Sequence, residues 1–181
     1  MRHVPELRTA RLLLRGWRSD DREPFAALNA DPAVRRYFPT LLSRAESDAL
    51  IDWHEASFDE RGFGFWAVEI RGSGMFIGFV GLAVPSFEAP FTPCVEIGWR
   101  LAAPFWNQGY ATEAARAVVT FGFDALRLEE IVAFTAVVNT PSRRVMEKLG
   151  MTHDPADDFA HPDIAPGHPL RAHVLYRLRR P

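Results

Sequence analysis

Residues 99–114 read Trp99-Arg100-Leu101-Ala102-Ala103-Pro104-Phe105-Trp106-Asn107-Gln108-Gly109-Tyr110-Ala111-Thr112-Glu113-Ala114. The stretch up to Leu101 has the apolar character of a strand, Pro104 breaks it, and the small residues from Gly109 onward open a helix. That helix continues through Ala111, Ala115, Val118, Gly122 and Ala125, whose spacing of three and four places them on one face, with side chains small enough to lie close to a sheet. A strand, a tight turn and a helix start in this order leave the first helical amides without partners. They also put the positive end of the helix dipole at the turn, a site suited to phosphate or pyrophosphate. Gly109 serves either the approach of such a ligand to the backbone or the turn alone.

Working outward, Val95 to Leu101 is preceded by two further strands, Phe65 to Ile70 and Met75 to Val84, the pair joined by the turn-forming Arg71-Gly72-Ser73-Gly74. Three successive strands predict an antiparallel meander. Thr9 to Trp17 reads as an opening strand, and Asp20-Asp21-Arg22-Glu23 starts a helix with an acidic first turn. Ser43 and Glu46 form a capping box for a second helix running toward Glu60. Downstream, Ile131 to Val138 is apolar and β-rich throughout, as in a central strand covered on both faces. Thr140 as cap and Pro141 at the first helical position begin a short helix that Gly150 ends. His153 to Pro169, with four prolines, reads as an irregular loop, and His173 to Arg179 closes the chain as a strand. The fold class is mixed α/β (α+β), a mostly antiparallel central sheet flanked by helices, in one domain spanning residues 1–181.

Composition bounds the function. The chain has 181 residues, 48% hydrophobic and 24% charged, which is ordinary for a globular protein. Its 21 basic and 23 acidic residues give a net charge of −2, too balanced for duplex binding by counterion release, so no nucleic-acid partner is expected. Cys94 is the only cysteine, which precludes an intrachain disulfide and suits a reducing, cytoplasmic setting. Met1 to Leu14 interleaves charges with leucines, unlike a secretory leader. Met75 to Val84 is about half of the roughly 20 residues of a spanning helix, so no membrane partner is expected. His161, His168 and His173 with Asp157, Asp158 and Asp163 follow no zinc spacing, and prolines interrupt any helix that would align them. No metal is expected.

The segment from Arg100 to Ala114 resembles the coenzyme motif of the GNAT superfamily of N-acetyltransferases, in its RimJ/RimL-like branch. The usual pattern is Gln or Arg, two residues, Gly, one residue, then Gly or Ala; Trp106, Gly109 and Ala111 hold those places here. Trp106 departs from the consensus, which puts one side-chain contact in doubt while leaving a cradle of backbone amides. The resemblance runs along nearly the whole chain through Gly62 to Glu69, Ile77 to Leu82, Val95 to Leu101 and Asn139 to Met151. It implies the GNAT fold, acetyl-CoA as cosubstrate, and coenzyme contacts from Trp99, Arg100, Leu101, Trp106, Asn107, Gln108, Gly109, Tyr110, Ala111, Thr112, Asn139 and Ser142.

Amide formation from acetyl-CoA needs a neutral amine, although an ordinary amine is protonated at neutral pH, so a base is required. Strand alternation puts Val95, Ile97, Trp99 and Leu101 on one face and Glu96, Gly98 and Arg100 on the other. Glu96 is either that base, directly or through water, or a structural partner of Arg100. Ser142 matches a hydroxyl near the coenzyme sulfur in this branch. Met146 stands where many members carry a proton-donating tyrosine, so Ser142 reads either as a hydrogen-bond donor to the departing thiolate or as a helix-start hydroxyl. Asn139 is either a coenzyme ligand or a turn former. Phe38, Phe87 and Phe91 lie in regions that border the acceptor in relatives, with Phe38, Phe87 and Glu96 the expected substrate contacts, and the loop before Pro169 is expected to cover that pocket.

The reading is thus an acetyl-CoA-dependent enzyme that transfers acetyl directly to a primary amine in a ternary complex. Cys94 lacks any cue for a covalent acyl intermediate. The acceptor is left open among protein N-termini, peptide or antibiotic amines, polyamines and other small amines. The competing class is a non-catalytic acyl-CoA-binding sensor of the same fold. The assembly is a monomer or a homodimer.

Overall fold

The structure is a computed structural model that describes residues 4–181. Met1–His3, the first part of the segment read as lacking a leader, lie outside the described residues. One sheet runs in the order β1 (Leu7–Arg8), β2 (Leu12–Arg15), β3 (Phe65–Ile70), β4 (Met75–Ala83), β5 (Glu96–Leu101), β6 (Glu130–Ala136), β9 (Ala172–Arg179) and β7 (Thr152–His153), with β8 (Phe159–Ala160) also on β9. Every pairing is antiparallel except that of β5 with β6. The meander over β3, β4 and β5 is as expected, with Phe65 opposite Gly81 and Gly81 opposite Gly98.

Among the described residues there are five α-helices: α1 (Arg22–Ala30), α2 (Pro32–Arg35), α3 (Arg44–Arg61), α4 (Tyr110–Asp124) and α5 (Thr140–Lys148). α3 starts at the expected capping box, where Glu46 accepts from the Ser43 amide at 2.7 Å, and ends at Gly62, whose φ of +78° closes the last turn. On one side α4 buries Ala114, Ala115 and Val118 against Leu82, Ile97, Leu101 and Ile131. Gly122 permits this approach, since a Cβ there would come within 2.8 Å of Ile131 Cδ1. On the other side α1 and α3 enclose Trp17, Phe25, Ile51, Phe65, Ala67 and Phe79. Both faces of β4 are therefore buried, which explains its continuous apolar text.

Three local expectations need correction. β6 ends at Ala136, and Val137 and Val138 are exposed: the Val137 amide still reaches Ala172 O at 2.9 Å, but the Asn139 amide turns back to Ala136 O at 2.8 Å and takes the chain off the sheet. The cap of α5 is Asn139 rather than Thr140: its Oδ1 accepts from the Ser142 amide at 3.3 Å. The segment 153–169 is not wholly irregular, since β7 and β8 dock on the free edge of β9, whose unpaired backbone groups recruit them.

Candidate active site

The one parallel contact in the sheet decides where a ligand can enter. β5 and β6 pair only at Glu96 and Val132, with the Val132 amide on Val95 O at 3.0 Å. A continued ladder would match Gly98 with Phe134 and Arg100 with Ala136, and neither pair forms. Beyond Glu96 the edge of β5 that faces β6 thus has no strand partner, and its backbone groups are available to an extended ligand bearing amides. The helices that follow the two strands, α4 after β5 and α5 after β6, begin at this opening. Crevices at the carboxyl ends of parallel neighbours are the usual ligand sites of such sheets.

The start of α4 has no side-chain cap, unlike α2, α3 and α5. Six consecutive amides, 107 to 112, donate to no protein acceptor among the described residues. The backbone reaches this arrangement through left-handed φ values of +60° at Asn107 and +82° at Gly109. Two of the side chains expected to touch coenzyme are engaged by the protein instead. The Trp106 indole donates to Leu101 O at 2.7 Å and the Gln108 amide to Pro104 O at 2.8 Å, so both brace the turn and leave its backbone exposed. From the bend between β1 and β2 Arg11 donates to Gln108 O at 3.0 Å. The planar peptide then directs the Gly109 N–H the opposite way. Glu113 holds the clasp together, bound by Thr9 Oγ1 at 2.6 Å and by Arg11 Nε at 2.7 Å. Beside α4 lies an open groove of about 540 Å³ lined by three cations, Arg11, Arg116 and Lys148, and one acid, Glu113.

Glu96 faces the α1 and α3 side, as alternation requires, into a cavity of about 280 Å³ bordered by Trp53, Val84, Phe87, Phe134, His161 and Asp163. Its carboxylate has no hydrogen bond or ion pair among the described residues, and burial pushes its pKa up to about 7. The alternative of a Glu96 and Arg100 pair is not realised: Arg100 Nη1 donates instead to Asn29 Oδ1 at 2.8 Å. Phe87 joins an aromatic group there, 4.7 Å from the His161 ring and 5.6 Å from Phe134. Burial lowers the pKa of His161 and takes His173 behind it down to about 4, so neither adds positive charge at neutral pH. Phe38 does not border this cavity; it stacks on Arg100, ring centre to guanidinium 4.2 Å. Trp53 and Phe134 border it without having been singled out, because a tryptophan on an amphipathic helix and a phenylalanine in a buried strand carry no signal of the cavity they line.

At the head of α5 the Ser142 hydroxyl has no hydrogen-bond partner among the described residues, while the buried Met146 one turn on anchors the helix in the core. Asn139 is not an unpaired polar group: its Nδ2 donates to Thr135 Oγ1 at 2.8 Å while its oxygen caps the helix. Arg100, expected on the coenzyme side, directs its guanidinium into the opposite layer, so only its backbone borders the opening between β5 and β6. The Cys94 thiol is pushed up to about 11 by burial and by Glu96, and at neutral pH it is no nucleophile. Among the described residues no helix is long and apolar enough to cross a membrane.

The family described as Acetyltransferase (GNAT) domain matches residues 11–152. An FsC-acetyl coenzyme A-N(2)-transacetylase from Aspergillus fumigatus is 36% identical over 156 residues, 82% of this chain; the match spans 66% of that protein's length. The crystal structure of an acetyltransferase from Agrobacterium tumefaciens superposes with a TM-score of 0.79 at 26% identity, covering 99% of this chain and 97% of that one. The ribosomal alpha-N-protein acetyltransferase RimL in complex with coenzyme A has the same fold, with a TM-score of 0.77 at 15% identity over 97% of this chain and 98% of that one. With the family match covering most of the sequence and the fold shared end to end, the chain belongs to the GNAT acetyltransferase family.

Proposed function

We propose that the chain works as one domain, in the cytoplasm, transferring acetyl from acetyl-CoA directly to a primary amine. The observation that carries this is Glu96: a carboxylate without a protein partner, at the point where β5 and β6 part, in an aromatic cavity that raises its pKa to about 7. A base of that strength accepts a proton at neutral pH and can pass it on. The coenzyme, when bound, supplies the acetyl thioester. The residues that fit it are the six free amides from 107 to 112, the unpaired edge of β5 over Trp99, Arg100 and Leu101, and the Ser142 hydroxyl.

Glu96 takes the proton of the incoming ammonium, either directly or through one water, and leaves the amine neutral beside the thioester. Ser142 offers its hydroxyl as hydrogen-bond donor to the leaving sulfur. Phe87, Phe134 and Trp53 exclude water around the amine, and Asp163 with Glu96 makes the cavity attractive to a cation. Asn139 serves the coenzyme by fixing the first turn of α5. The test is the pH dependence of turnover in Glu96→Gln. Turnover in the wild type should rise through about pH 7, and the variant should lose that limb, with a deficit of about 100-fold above pH 7 that narrows at lower pH. A variant with the wild-type profile would remove Glu96 from the chemistry.

A further inference from the structure

Four residues along β5 from Glu96, on the same face, Arg100 presents a part-buried cation that the fold does not neutralise. Its Nη1 has one neutral acceptor, Asn29 Oδ1 at 2.8 Å, and its Nε is buried with no partner. Arg35 lies close enough to repel it, and burial with this like charge takes Arg100 down to about 9, which leaves it cationic at neutral pH. Arg35 is itself buried and donates only to a carbonyl, Thr40 O at 2.9 Å. The acid that acts on Arg35 is Glu46, whose carboxylate is already held by the amide and hydroxyl of Ser43. His54, buried beside the same Phe79 ring, also has both ring nitrogens without partners, and Arg100 helps keep it neutral. Charged side chains are rarely buried without a counter-charge, because desolvation is then uncompensated. Elsewhere in this chain the rule is obeyed: the buried Arg15 is paired with both Asp21 and Glu69.

We propose that Arg100 and Arg35, beneath Phe38, bind the carboxylate of the acceptor, so that the substrate is an elongated amino-carboxylate rather than a plain amine. The inference rests on the reading of Glu96 as the site of the reacting amine. The rings of Phe38 and Phe79 lie 4.2 and 5.0 Å from the Arg100 guanidinium, while its Nε finds no protein partner. A flat carboxylate pairs with a guanidinium through two parallel hydrogen bonds, and binding of phosphate is distinguished from it by the experiment below. The ring of Phe65 lies over Gly98, within 3.1 Å of where a Cβ would stand, between the two ends of the site. At about 3.3 Å per residue Glu96 and Arg100 are about 13 Å apart along the strand, so an α-amino acid is too short to reach both.

The experiment has a binding arm and a turnover arm. Thermal unfolding of the coenzyme-free protein is followed with glutarate, inorganic phosphate or chloride at equal ionic strength, for the wild type and for Arg100→Met, whose apolar chain fills the space between the rings. Glutarate should raise the wild-type Tm and leave that of the variant unmoved. Equal shifts in both proteins, or an equal effect of phosphate, overturn the assignment. Turnover is then compared for 6-aminohexanoate and hexylamine. The wild type should favour the acid at least tenfold in kcat/KM and Arg100→Met should show no preference. If hexylamine is used as well as the acid, the acetyl transfer stands and the carboxylate site falls. If neither amine reacts while glutarate still stabilises only the wild type, the carboxylate site stands and the acetyl transfer falls. Independent folding of the variant is checked by its own unfolding transition, which removal of a part-buried cation without a counter-charge should move upward.

Discussion

Replacing Glu96 by glutamine should make the ligand-free protein more stable at the pH where it makes the enzyme worst. The carboxyl is raised from 4.5 to about 7 by burial alone. The folded chain therefore keeps this proton to higher pH than the unfolded chain does. Stability linked to Glu96 is complete below pH 4.5 and is lost as the pH rises through about 7, where the carboxylate must exist in a cavity that gives it no partner. At about 1.4 kcal/mol per pH unit the loss amounts to about 3 kcal/mol above pH 7. Glutamine has nothing to ionise and escapes it. For a chain of this size that difference corresponds to roughly 6–12 °C in Tm. Denaturant unfolding of both proteins from pH 5 to pH 8 measures it, since every other titrating group cancels in the difference. The gap should be small at pH 5, widen up to about pH 7 and then stay level. A gap that is constant over this range would mean that Glu96 is solvated or paired in solution, and its role as a base tuned by burial would fall with it.

Other outcomes follow from the two helix starts. Gly109→Ala forces a side chain into a φ of +82°, costing about 1–2 kcal/mol, but its methyl would make only an ordinary 3.4 Å contact with Arg11. The fold should therefore survive while calorimetry shows coenzyme binding weakened about tenfold; unchanged affinity would place the diphosphate elsewhere. Asn139→Ala removes the cap of α5 and should cost about 1 kcal/mol in unfolding experiments, with coenzyme affinity changed less than Tm. Ser142→Ala deletes a hydroxyl that bonds to no protein group among the described residues, so Tm should hold while kcat drops about tenfold at unchanged KM for coenzyme. A fall in Tm instead would make it a structural hydroxyl.

Much of the architecture is written locally. The capping box at Ser43, the glycine stop at Gly62 and the alternation along Val95 to Leu101 each act within a few residues, so the elements they delimit could be located without knowing their neighbours. Alternation also placed Glu96 and Arg100 on the same face. It could not say what they would meet. Trp106 was matched to a coenzyme position by spacing, but whether its indole faces ligand or Leu101 O depends on the fold of one turn. Asn139 could be read as a coenzyme ligand or a turn former but not as the partner of Thr135, which lies on the preceding strand and meets it only through the turn between them.

What the sequence by itself determined is the order of the principal strands and helices, the glycine turn that opens α4 and the family to which these belong, because hydrophobic period and backbone preference are properties of neighbouring residues. Only the tertiary structure decided that Glu96 stands without a partner in an aromatic cavity, that Arg100 turns away from it toward Arg35 and Phe38, and that β5 and β6 part after a single pair. Burial and unpaired charge arise from residues as remote in sequence as Asn29 and Arg100, and the desolvation that tunes a carboxylate exists only once such segments have been brought together.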